Sequence, residues 1–331
     1  MRSMLDTYFP LYITVFLIAT VATFAIERRL IPVLTRKAQQ PIYEGGPRWH
    51  VKKSGTPTMG GVAFLISVSV ALITAAVVLL FSGKREAVLS IVICQAYAAL
   101  NACIGIIDDM KKLHRKQNQG LTPLGKLSLQ LMLAILFLIA RRFVIGDGTS
   151  LSFSFGEIDL GIFYYPIAII ILLGVINCAN LTDGIDGLAS SVAFSTGVSI
   201  LYISAALNTE SSAVASAIIG AAVGFLIFNI HPARIFMGDT GSLYFGALIA
   251  CCGFMLGNPI LIIFIAGVYV LEGCSVILQV AWYKLFKRRI FRMAPFHHHL
   301  EQCGFSENRI CIIAIILTFL FSIPAYIFYL P

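Results

Sequence analysis

Long uninterrupted apolar blocks are the feature of this sequence that most constrains its fold. A helix of about 20 residues can cross a hydrocarbon layer of about 30 Å, and many blocks have roughly that length. A chain of 331 residues that is 58% hydrophobic and 12% charged has more apolar surface than one soluble core hides. The blocks do not alternate as the strands of a barrel do. The sequence therefore predicts a membrane protein built from spanning helices.

We predict an all-α polytopic membrane protein in which residues 1–331 form a single integral membrane domain with ten transmembrane helices. The predicted blocks are residues 8–26, 58–81, 87–107, 127–144, 163–179, 189–207, 213–230, 243–256, 260–282 and 310–329. Arg141 and Arg142 interrupt the fourth block, and we expect both side chains to reach an interface. The eighth block is short, so it is one of the two weakest predictions.

Positive charge predicts which side of the membrane each connection faces. Cytoplasmic connections are enriched in lysine and arginine, and most of the 24 such residues lie in the odd-numbered connections between the predicted helices. Both termini are therefore expected outside, and the net charge of +8 is concentrated on the inner surface. Topology and attraction to anionic lipid account for this charge, so membrane lipid is an expected partner and a nucleic acid polymer is not.

One connection on the predicted outer side has a pattern of its own. Apolar and polar side chains alternate over residues 151–162, with Gly156 and Glu157 in the middle. This alternation predicts a short β-hairpin at the outer surface.

Three groups of acidic residues lie at the predicted cytoplasmic ends of helices. Acids are disfavoured at the centre of a membrane helix, so this position alone is weak evidence. Two of the groups lie in connections with almost no basic residue, and Mg²⁺, which prefers carboxylate and phosphate oxygens, is expected to compensate them. The alternative is that the carboxylates cap the following helices. The groups are Asp108 with Asp109 after the third helix, Asp183 with Asp186 after the fifth, and Asp239 before the eighth.

Glycines and lysines beside these acids indicate a surface for phosphate. Glycine at a helix start lets backbone N–H groups and the positive helix end approach an anion closely, and Lys52 and Lys53 could add positive charge. The adjacent acids Asp108 and Asp109 repel each other, so one of them is suited to proton transfer. The glycines are Gly184, Gly187, Gly238 and Gly241.

A histidine triplet, residues 297–299, and two polar residues within the ninth block are further candidates. Three successive side chains point in different directions, which disfavours a zinc site. A role near a diphosphate is the preferred interpretation, and a polar interfacial loop is the alternative. Glu272 and Gln279 are seven residues apart, so they share one helix face and are expected to face a cavity or a partner helix.

Six ordered motifs spread over nearly the whole chain resemble those of the polyprenyl-phosphate N-acetylhexosamine-1-phosphate transferases. Two of them, at residues 55–61 and 292–299, are similar to the muramoyl branch, because branches that use UDP-N-acetylglucosamine typically lack them. Phe296 and Gly304–Phe305 depart from the common pattern of that branch and are interpreted as packing changes. The motifs are GTPTMGG (55–61), IDD (107–109), NLTDG (180–184), FNIHP (228–232), MGDTGS (237–242) and RMAPFHHH (292–299).

The resemblance implies ten helices with outward termini, a homodimer, and Mg²⁺ as the cofactor. It further implies a bacterial plasma membrane enzyme whose active site is cytoplasmic. The implied reaction moves phospho-MurNAc-pentapeptide from UDP-MurNAc-pentapeptide to undecaprenyl phosphate, which yields lipid I and UMP during peptidoglycan synthesis.

The resemblance also implies roles for individual residues. Asp239 resembles the Mg²⁺ ligand, and Asp108 resembles the base or phosphate-positioning acid, with Asp109 beside it. The implied uridine pocket comprises Lys53, Gly184, Ile185, Asp186 and Phe236, with Thr58, Asn180, Asp183 and Gly238 as neighbouring nucleotide contacts. Contacts toward the sugar, diphosphate or peptide are implied at Asn229, Gln279, His298 and His299, with His297 in the same substrate-binding triplet; His298 and His299 are grouped with the catalytic residues.

Two mechanisms and two other functions remain open from the sequence. The lipid phosphate attacks the sugar-bearing phosphorus directly, or an aspartate first forms a covalent intermediate. A transporter would place its acids near the bilayer midplane, whereas these acids gather at one face. An enzyme that uses UDP-N-acetylglucosamine is the nearer alternative.

Overall fold

The computed structural model describes residues 4–37, 53, 55–115 and 120–329, and most of them are helical. A π-helical turn, Arg141–Ile145, continues α4, and the antiparallel strands β1 (Ser150–Phe153) and β2 (Gly156–Asp159) follow it. The helices are α1 (Met4–Lys37), α2 (Gly61–Phe81), α3 (Arg85–Arg115), α4 (Pro123–Ala140), α5 (Tyr164–Thr182), α6 (Leu188–Leu207), α7 (Ser211–Asn229), α8 (Gly238–Met255), α9 (Leu261–Ile265), α10 (Gly267–Phe286), α11 (Phe296–Gln302) and α12 (Glu307–Tyr329).

Eight helices of the described residues are long and apolar enough to cross a membrane: α1 to α7 and α12. The ninth predicted block is not one helix, because Ala266 separates α9 from α10. Gly267, the first residue of α10, lies so close to Phe321 of α12 that a β-carbon there would meet the ring at 2.6 Å. The count of ten spans stays a prediction.

Helix α8 occupies the centre of the bundle. Its side chains from Thr240 to Met255 are buried, and α2, α3 and α5 pack around it. A helix that is apolar on all sides is stable only when it is enclosed. The short eighth block is therefore a central helix surrounded by protein.

Arg141 was expected to reach an interface but is buried, whereas its neighbour Arg142 is exposed as expected. The Arg141 side chain is buried: it donates hydrogen bonds to Ser90 Oγ at 2.6 Å and to the Phe254 carbonyl at 3.2 Å, and it pairs with Asp147. A buried guanidinium is tolerated when its donors are satisfied. Arg141 therefore ties α4 to α3 and α8 instead of reaching an interface.

The small sheet lies within the segment where the sequence alternates. Ser150 pairs with Asp159 and Phe153 with Gly156 in an antiparallel register. The Ser154 N–H donates to the Phe328 carbonyl at 2.9 Å, which holds the turn against the end of α12. Its position on the outer side stays a prediction.

Candidate active site

Acidic side chains from two distant parts of the chain meet where α3 ends and α8 begins. Asp108, Asp109 and Asp239 each offer a carboxylate oxygen, and these oxygens lie within 4.8 Å of one another. We name these three residues the acidic cluster. Helix α3 is long enough to carry Asp108 and Asp109 past the bundle core, and Asp239 lies in the first turn of α8. The sequence analysis placed these acids at the same predicted end of their helices, and the structure brings them together.

Asp109 binds the start of α8. Its carboxylate accepts hydrogen bonds from the backbone N–H of Asp239 at 3.1 Å and of Thr240 at 3.0 Å, and from Thr240 Oγ1 at 2.7 Å. A carboxylate in this position satisfies free N–H groups and stabilises the positive end of the helix. The sequence left open whether Asp239 caps this helix. In the structure, Asp109 accepts the capping hydrogen bonds instead.

Two lysines balance the charge of Asp239. Lys112 lies 3.0 Å from Asp239 Oδ1 and 2.7 Å from Asp108 Oδ2, and Lys126 lies 2.6 Å from Asp239 Oδ2. Asn180, at the end of α5, donates to Asp239 Oδ1 at 3.1 Å and accepts from Lys126. Four elements of the bundle therefore converge on one carboxylate.

Asp108 also holds the chain that enters α4. Its Oδ1 accepts a hydrogen bond from the Leu121 N–H at 2.6 Å, and a β-carbon at the neighbouring Gly120 would lie 2.5 Å from the Asp108 carboxyl carbon. The carboxylate is 4% exposed, so it faces the protein and the Lys112 ammonium more than solvent.

The residues of the acidic cluster fit a divalent metal ion. Hard carboxylate oxygens are the ligands that Mg²⁺ prefers, and Asp108 and Asp239 supply them. Their partners are two lysine ammonium groups, the Leu121 N–H and the Asn180 amide. Asp109 fits less well because both of its oxygens already accept hydrogen bonds from α8. The compensating positive charge that the sequence analysis assigned to Mg²⁺ is supplied in this structure by Lys112 and Lys126.

Asp183 lies directly after α5 and is half-buried. Burial, and after it the negative charge of Asp239, raises the pKa of Asp183 to about 8. A carboxyl group that holds its proton near neutral pH is typical of functional sites, although buried ion-pair networks cause the same shift.

The glycine-rich connections differ from the predicted phosphate surface in one respect. The N–H groups of Asp239 and Thr240 at the start of α8 donate to Asp109, and the Gly187 N–H before α6 donates to Asn229 Oδ1 at 3.1 Å. These donors are therefore satisfied within the protein. Gly238 has a positive φ of 68°, and a β-carbon there would lie 2.6 Å from Asp109 Oδ2, so glycine is required for the close approach.

A second group of charged side chains forms beyond the loop that follows α5. The Lys53 ammonium lies 2.7 Å from both Asp186 Oδ1 and Glu307 Oε2, and His231 Nδ1 lies 2.8 Å from Asp186 Oδ2. We name these four residues the Lys53 cluster. An open pocket of ≈ 530 Å³ adjoins it, and His231, Arg292, Glu301 and Glu307 line part of its wall. Lys52 lies outside the described residues.

Asp186 connects the surrounding loops through its hydrogen bonds. It is buried, and besides Lys53 and His231 it accepts the Ala233 N–H at 3.0 Å. The alternative that Asp186 caps α6 does not fit, since its oxygens contact Lys53, His231 and the Ala233 N–H instead. The adjacent Ile185 is buried as well.

Asn229 is a buried connection between two loops. Its amide oxygen accepts from the Gly187 N–H and from Ser190 Oγ at 3.3 Å, while its Nδ2 donates to the Ile235 carbonyl at 2.8 Å. These contacts favour a supporting role, and a direct contact with substrate stays a prediction.

The segment that bears Phe236 pairs with the motif before α2. The Phe236 N–H donates to the Pro57 carbonyl at 2.8 Å, and its carbonyl accepts from the Gly60 N–H at 2.9 Å. Thr58 is buried beside Gly238: a β-carbon on Gly238 would lie 2.8 Å from Thr58 Oγ1. Phe236, Thr58 and Gly238 are thus brought together, and their implied contacts with the nucleotide stay a prediction.

The histidine triplet begins the short helix α11. The rings of His297 and His298 lie 4.2 Å apart between centroids, so the expected divergence of successive side chains is wrong for this pair. His297 is fully buried and its Nδ1 lies 3.1 Å from Glu272 Oε2, while its backbone N–H also donates to Glu272. His297 Nε2 has no hydrogen-bond partner and lies against Gly184. The helix therefore packs the triplet onto the loop that connects the two charged clusters.

The other two histidines make local contacts. His298 Nδ1 lies 2.6 Å from Glu301 Oε2, and His299 Nδ1 accepts the Arg292 N–H at 3.2 Å. Gln279 accepts the N–H groups of Ile290 and Phe291. Gln279 therefore holds the chain between α10 and α11, and its predicted contact with substrate stays a prediction.

Sequence reasoning did not assign Lys112, Lys126, His231 or Glu307 to the site. Lys112 follows Asp108 by four residues on a helix, a spacing that places both side chains on one face, so this pair could have been found. The others become neighbours only through the packing of distant segments.

Comparisons with known proteins agree with this architecture. The profile described as glycosyl transferase family 4 matches residues 88–257, and the phospho-N-acetylmuramoyl-pentapeptide-transferase signature 1 matches residues 53–65. The first match spans α3 to α8 and therefore includes the acidic cluster.

Curated relatives are similar over most of their length. The phospho-N-acetylmuramoyl-pentapeptide-transferase of Clostridium perfringens is 37% identical over 328 residues, which cover 98% of this chain and 98% of the relative. That of Clostridium kluyveri is 42% identical over 87% of this chain and 91% of the relative. That of Halalkalibacterium halodurans is 41% identical over 89% and 90%.

The fold, the acidic cluster and the matched profile define a multi-pass membrane glycosyl transferase of family 4. Within that class, the chain belongs to the phospho-N-acetylmuramoyl-pentapeptide transferases.

Proposed function

We propose that this protein transfers phospho-MurNAc-pentapeptide from UDP-MurNAc-pentapeptide to undecaprenyl phosphate, which forms lipid I and UMP. One observation carries the proposal: Asp108 and Asp239, from helices far apart in sequence, place carboxylate oxygens within 4.8 Å beside two lysine ammonium groups. Such a site suits an exchange of one diphosphate bond for another, which needs positioning and charge neutralisation.

The cofactor in this proposal is Mg²⁺, held by Asp239 with Asp108 beside it. When bound, Mg²⁺ supplies positive charge to the diphosphate oxygens. Lys112 and Lys126 pair with these carboxylates. If Asp239 and Asp108 held Mg²⁺, both ammonium groups would be available as donors to phosphate. Their chain elements already hold them at the acidic cluster.

The reaction proceeds by direct attack. An oxygen of the lipid phosphate forms a bond to the phosphorus that bears the sugar, while the bond from that phosphorus to the UMP oxygen breaks and its electron pair leaves with UMP. A phosphate monoester is largely ionised at neutral pH, so Asp108 serves to position it or to take the remaining proton. Lysine donors stabilise the charge that develops on the phosphoryl oxygens.

The loop at residues 183–186 lies between the regions that bind the two ends of the substrate. Asp183 lies on the side of the acidic cluster and Asp186 belongs to the Lys53 cluster. The nucleotide therefore binds near Lys53, Gly184, Ile185 and Phe236, with Asn180, Thr58 and Gly238 close to the diphosphate. His297 positions this loop through Gly184, and His298 and His299 face the sugar and peptide.

The proposal includes the finer topology. Ten spans form a single domain, both termini face outward, and the acidic cluster lies at the cytoplasmic surface of the bacterial plasma membrane. Most lysines and arginines lie in the connections assigned to that side. A homodimer is the expected assembly.

The test is release of UMP by the purified protein supplied with undecaprenyl phosphate and each donor in turn. UDP-MurNAc-pentapeptide should give Mg²⁺-dependent release, UDP-N-acetylglucosamine should give none, and Asp239→Ala should be inactive. Release with UDP-N-acetylglucosamine alone would assign the protein to another branch. Exchange of labelled UMP into the donor without lipid acceptor would replace direct attack by a covalent intermediate.

A further inference from the structure

The end of helix α10 projects out of the protein. Every residue from 280 to 290 is exposed, on all sides of the helix, whereas Glu272 and Ser275 earlier in α10 are buried. The exposed residues include large apolar side chains: Leu285 is 75% and Phe286 is 53% exposed. We name residues 280–290 the α10 tip.

Four cations are concentrated at this tip. No acidic residue occurs between positions 280 and 293 of the sequence, and none of the ion pairs among the described residues involves these cations. Within the described part of the chain, no acidic side chain therefore balances the positive charge of the tip. The cations are Lys284, Lys287, Arg288 and Arg289.

Gln279 holds the chain that follows the cations. Its Oε1 accepts the N–H groups of Ile290 at 3.1 Å and Phe291 at 3.0 Å, and its Nε2 donates to the Phe291 carbonyl at 3.1 Å. The chain after the helix therefore folds back along α10. Lys287 ends the helix in a left-handed conformation with φ of 54°. Lys284 thus lies within the apolar turn that contains Trp282 and Phe286, and Lys287, Arg288 and Arg289 follow directly after it.

A protein partner would cover one face of a helix, whereas the apolar side chains of this tip surround it. The rings of Trp282 and Phe286 are in contact, 4.2 Å apart between centroids and tilted by 41°. Tyr283 and Leu285 are exposed at other positions around the helix. Lipid surrounds a helix in this way, aromatic rings concentrate at the level of the head groups, and lysine and arginine extend to the phosphates. The chemistry therefore matches the interface of an anionic membrane.

We propose that the α10 tip is a binding site for anionic phospholipid head groups, with phosphatidylglycerol as the type of ligand. The topology signal alone does not require such a site, because positive charge anywhere in a short connection directs insertion. The topology signal also does not require exposed aromatic residues around the helix or a glutamine that holds the following chain. This proposal depends on the cytoplasmic location proposed above in one respect only, namely which leaflet of the membrane supplies the lipid.

The protein offers its own probe for this site. Trp282 is one of two tryptophans in the chain, so Trp49→Phe leaves a single fluorophore at the tip. The full-length Trp49→Phe protein is reconstituted into phosphatidylcholine bilayers that contain the same mole fraction of brominated phosphatidylglycerol or of brominated phosphatidylcholine. Bromine quenches a nearby tryptophan, so the ratio of the two quenching efficiencies reports local enrichment of the anionic lipid.

We expect brominated phosphatidylglycerol to quench Trp282 about two- to fivefold more strongly than brominated phosphatidylcholine at low salt, since one cation near an anionic surface favours it by about fivefold. The ratio should approach one when Lys284, Lys287, Arg288 and Arg289 are all replaced by glutamine, and also at high salt. The matched control replaces four other exposed cations on the same predicted side and should keep the preference. That control is Arg28→Gln, Arg29→Gln, Arg36→Gln and Lys111→Gln together.

Three results would overturn the proposal. Equal quenching by both lipids in the unsubstituted tip would exclude a preference, and equal loss of preference in both quadruple variants would assign it to net charge. Absence of quenching by either lipid would show that the tip lies outside the bilayer. Undecaprenyl phosphate at one molecule per protein should not relieve quenching by brominated phosphatidylglycerol; complete relief would assign the surface to the acceptor lipid.

Discussion

Substitutions of Asp109 test whether this residue holds the start of α8 in place or takes part in the reaction itself. Its carboxylate accepts three hydrogen bonds from the first turn of α8. Asp109→Ala removes a helix cap, which costs about 0.5–2 kcal/mol, and leaves buried donors unsatisfied, which costs about 1–3 kcal/mol. The two values describe partly the same bonds, so we expect a loss of about 2–4 kcal/mol. Asp109→Asn keeps one acceptor oxygen and should lose about half of that.

The Asp239 N–H is one of these donors, so a loosened cap also displaces the carboxylate of Asp239. Thermal unfolding in detergent should show the larger decrease for Asp109→Ala, and both variants should bind Mn²⁺ more weakly in calorimetry. Turnover of Asp109→Asn should recover substantially when Mg²⁺ is raised to saturation.

Asp108→Asn is the matched control for this prediction. Among the described residues, Leu121 alone donates a backbone N–H to Asp108, so this variant should lose little stability and much turnover. The reasoning fails if Asp109→Asn keeps wild-type stability and metal affinity but loses turnover by about 10³-fold, the loss expected for a proton-transfer group.

Three further predictions concern the surroundings of the cluster. Because burial and the charge of Asp239 raise the pKa of Asp183 to about 8, its ionised fraction grows between pH 7 and 9, and the Kd for Mn²⁺ should fall over that range. Calorimetry should show a flatter profile for Asp183→Asn, and identical profiles would exclude Asp183 as the cause. Gly184→Ala places a methyl group into the His297 ring and should lower kcat/KM about tenfold or more; an unchanged value would mean that the ring moves freely. Lys126→Met removes a cation from Asp239 and should lower the Tm in EDTA but less in Mg²⁺, whereas equal losses in both buffers would contradict the proposed exchange of lysine for metal.

The spanning helices could be predicted because the membrane imposes one strong rule, that about 20 consecutive apolar residues form a helix. This rule located α1 to α7 and α12, although α1 and α3 continue well beyond the predicted blocks, to Lys37 and Arg115. It could not show that the ninth block breaks at Ala266, since hydropathy is insensitive to the close packing of Gly267 on Phe321.

Arg141 shows a second limit. The sequence shows the charge but not the three groups that satisfy it, which come from Ser90, Asp147 and the Phe254 carbonyl. An arginine beside an apolar block therefore looks like an interface residue when it is a buried connection between helices.

The convergence of Asp108, Asp109 and Asp239 could be predicted because each lies at the same predicted end of its helix. Their separate roles could not, since only the three-dimensional register of α3 against α8 turns Asp109 toward the backbone and Asp239 toward two lysines. For the same reason the contacts of Lys112 and Lys126 with Asp239 were not visible in the sequence, although the spacing of Lys112 from Asp108 was.

The account requires that a divalent metal ion bind at the acidic cluster and not at the Lys53 cluster, where Asp186, His231 and Glu307 also lie close enough to share an ion. Titration with Mn²⁺ followed by electron paramagnetic resonance measures this directly in purified wild type, Asp239→Asn and Glu307→Gln. We predict that Asp239→Asn loses the tight Mn²⁺ signal and that Glu307→Gln keeps it. A signal that survives Asp239→Asn and disappears with Glu307→Gln would contradict the account.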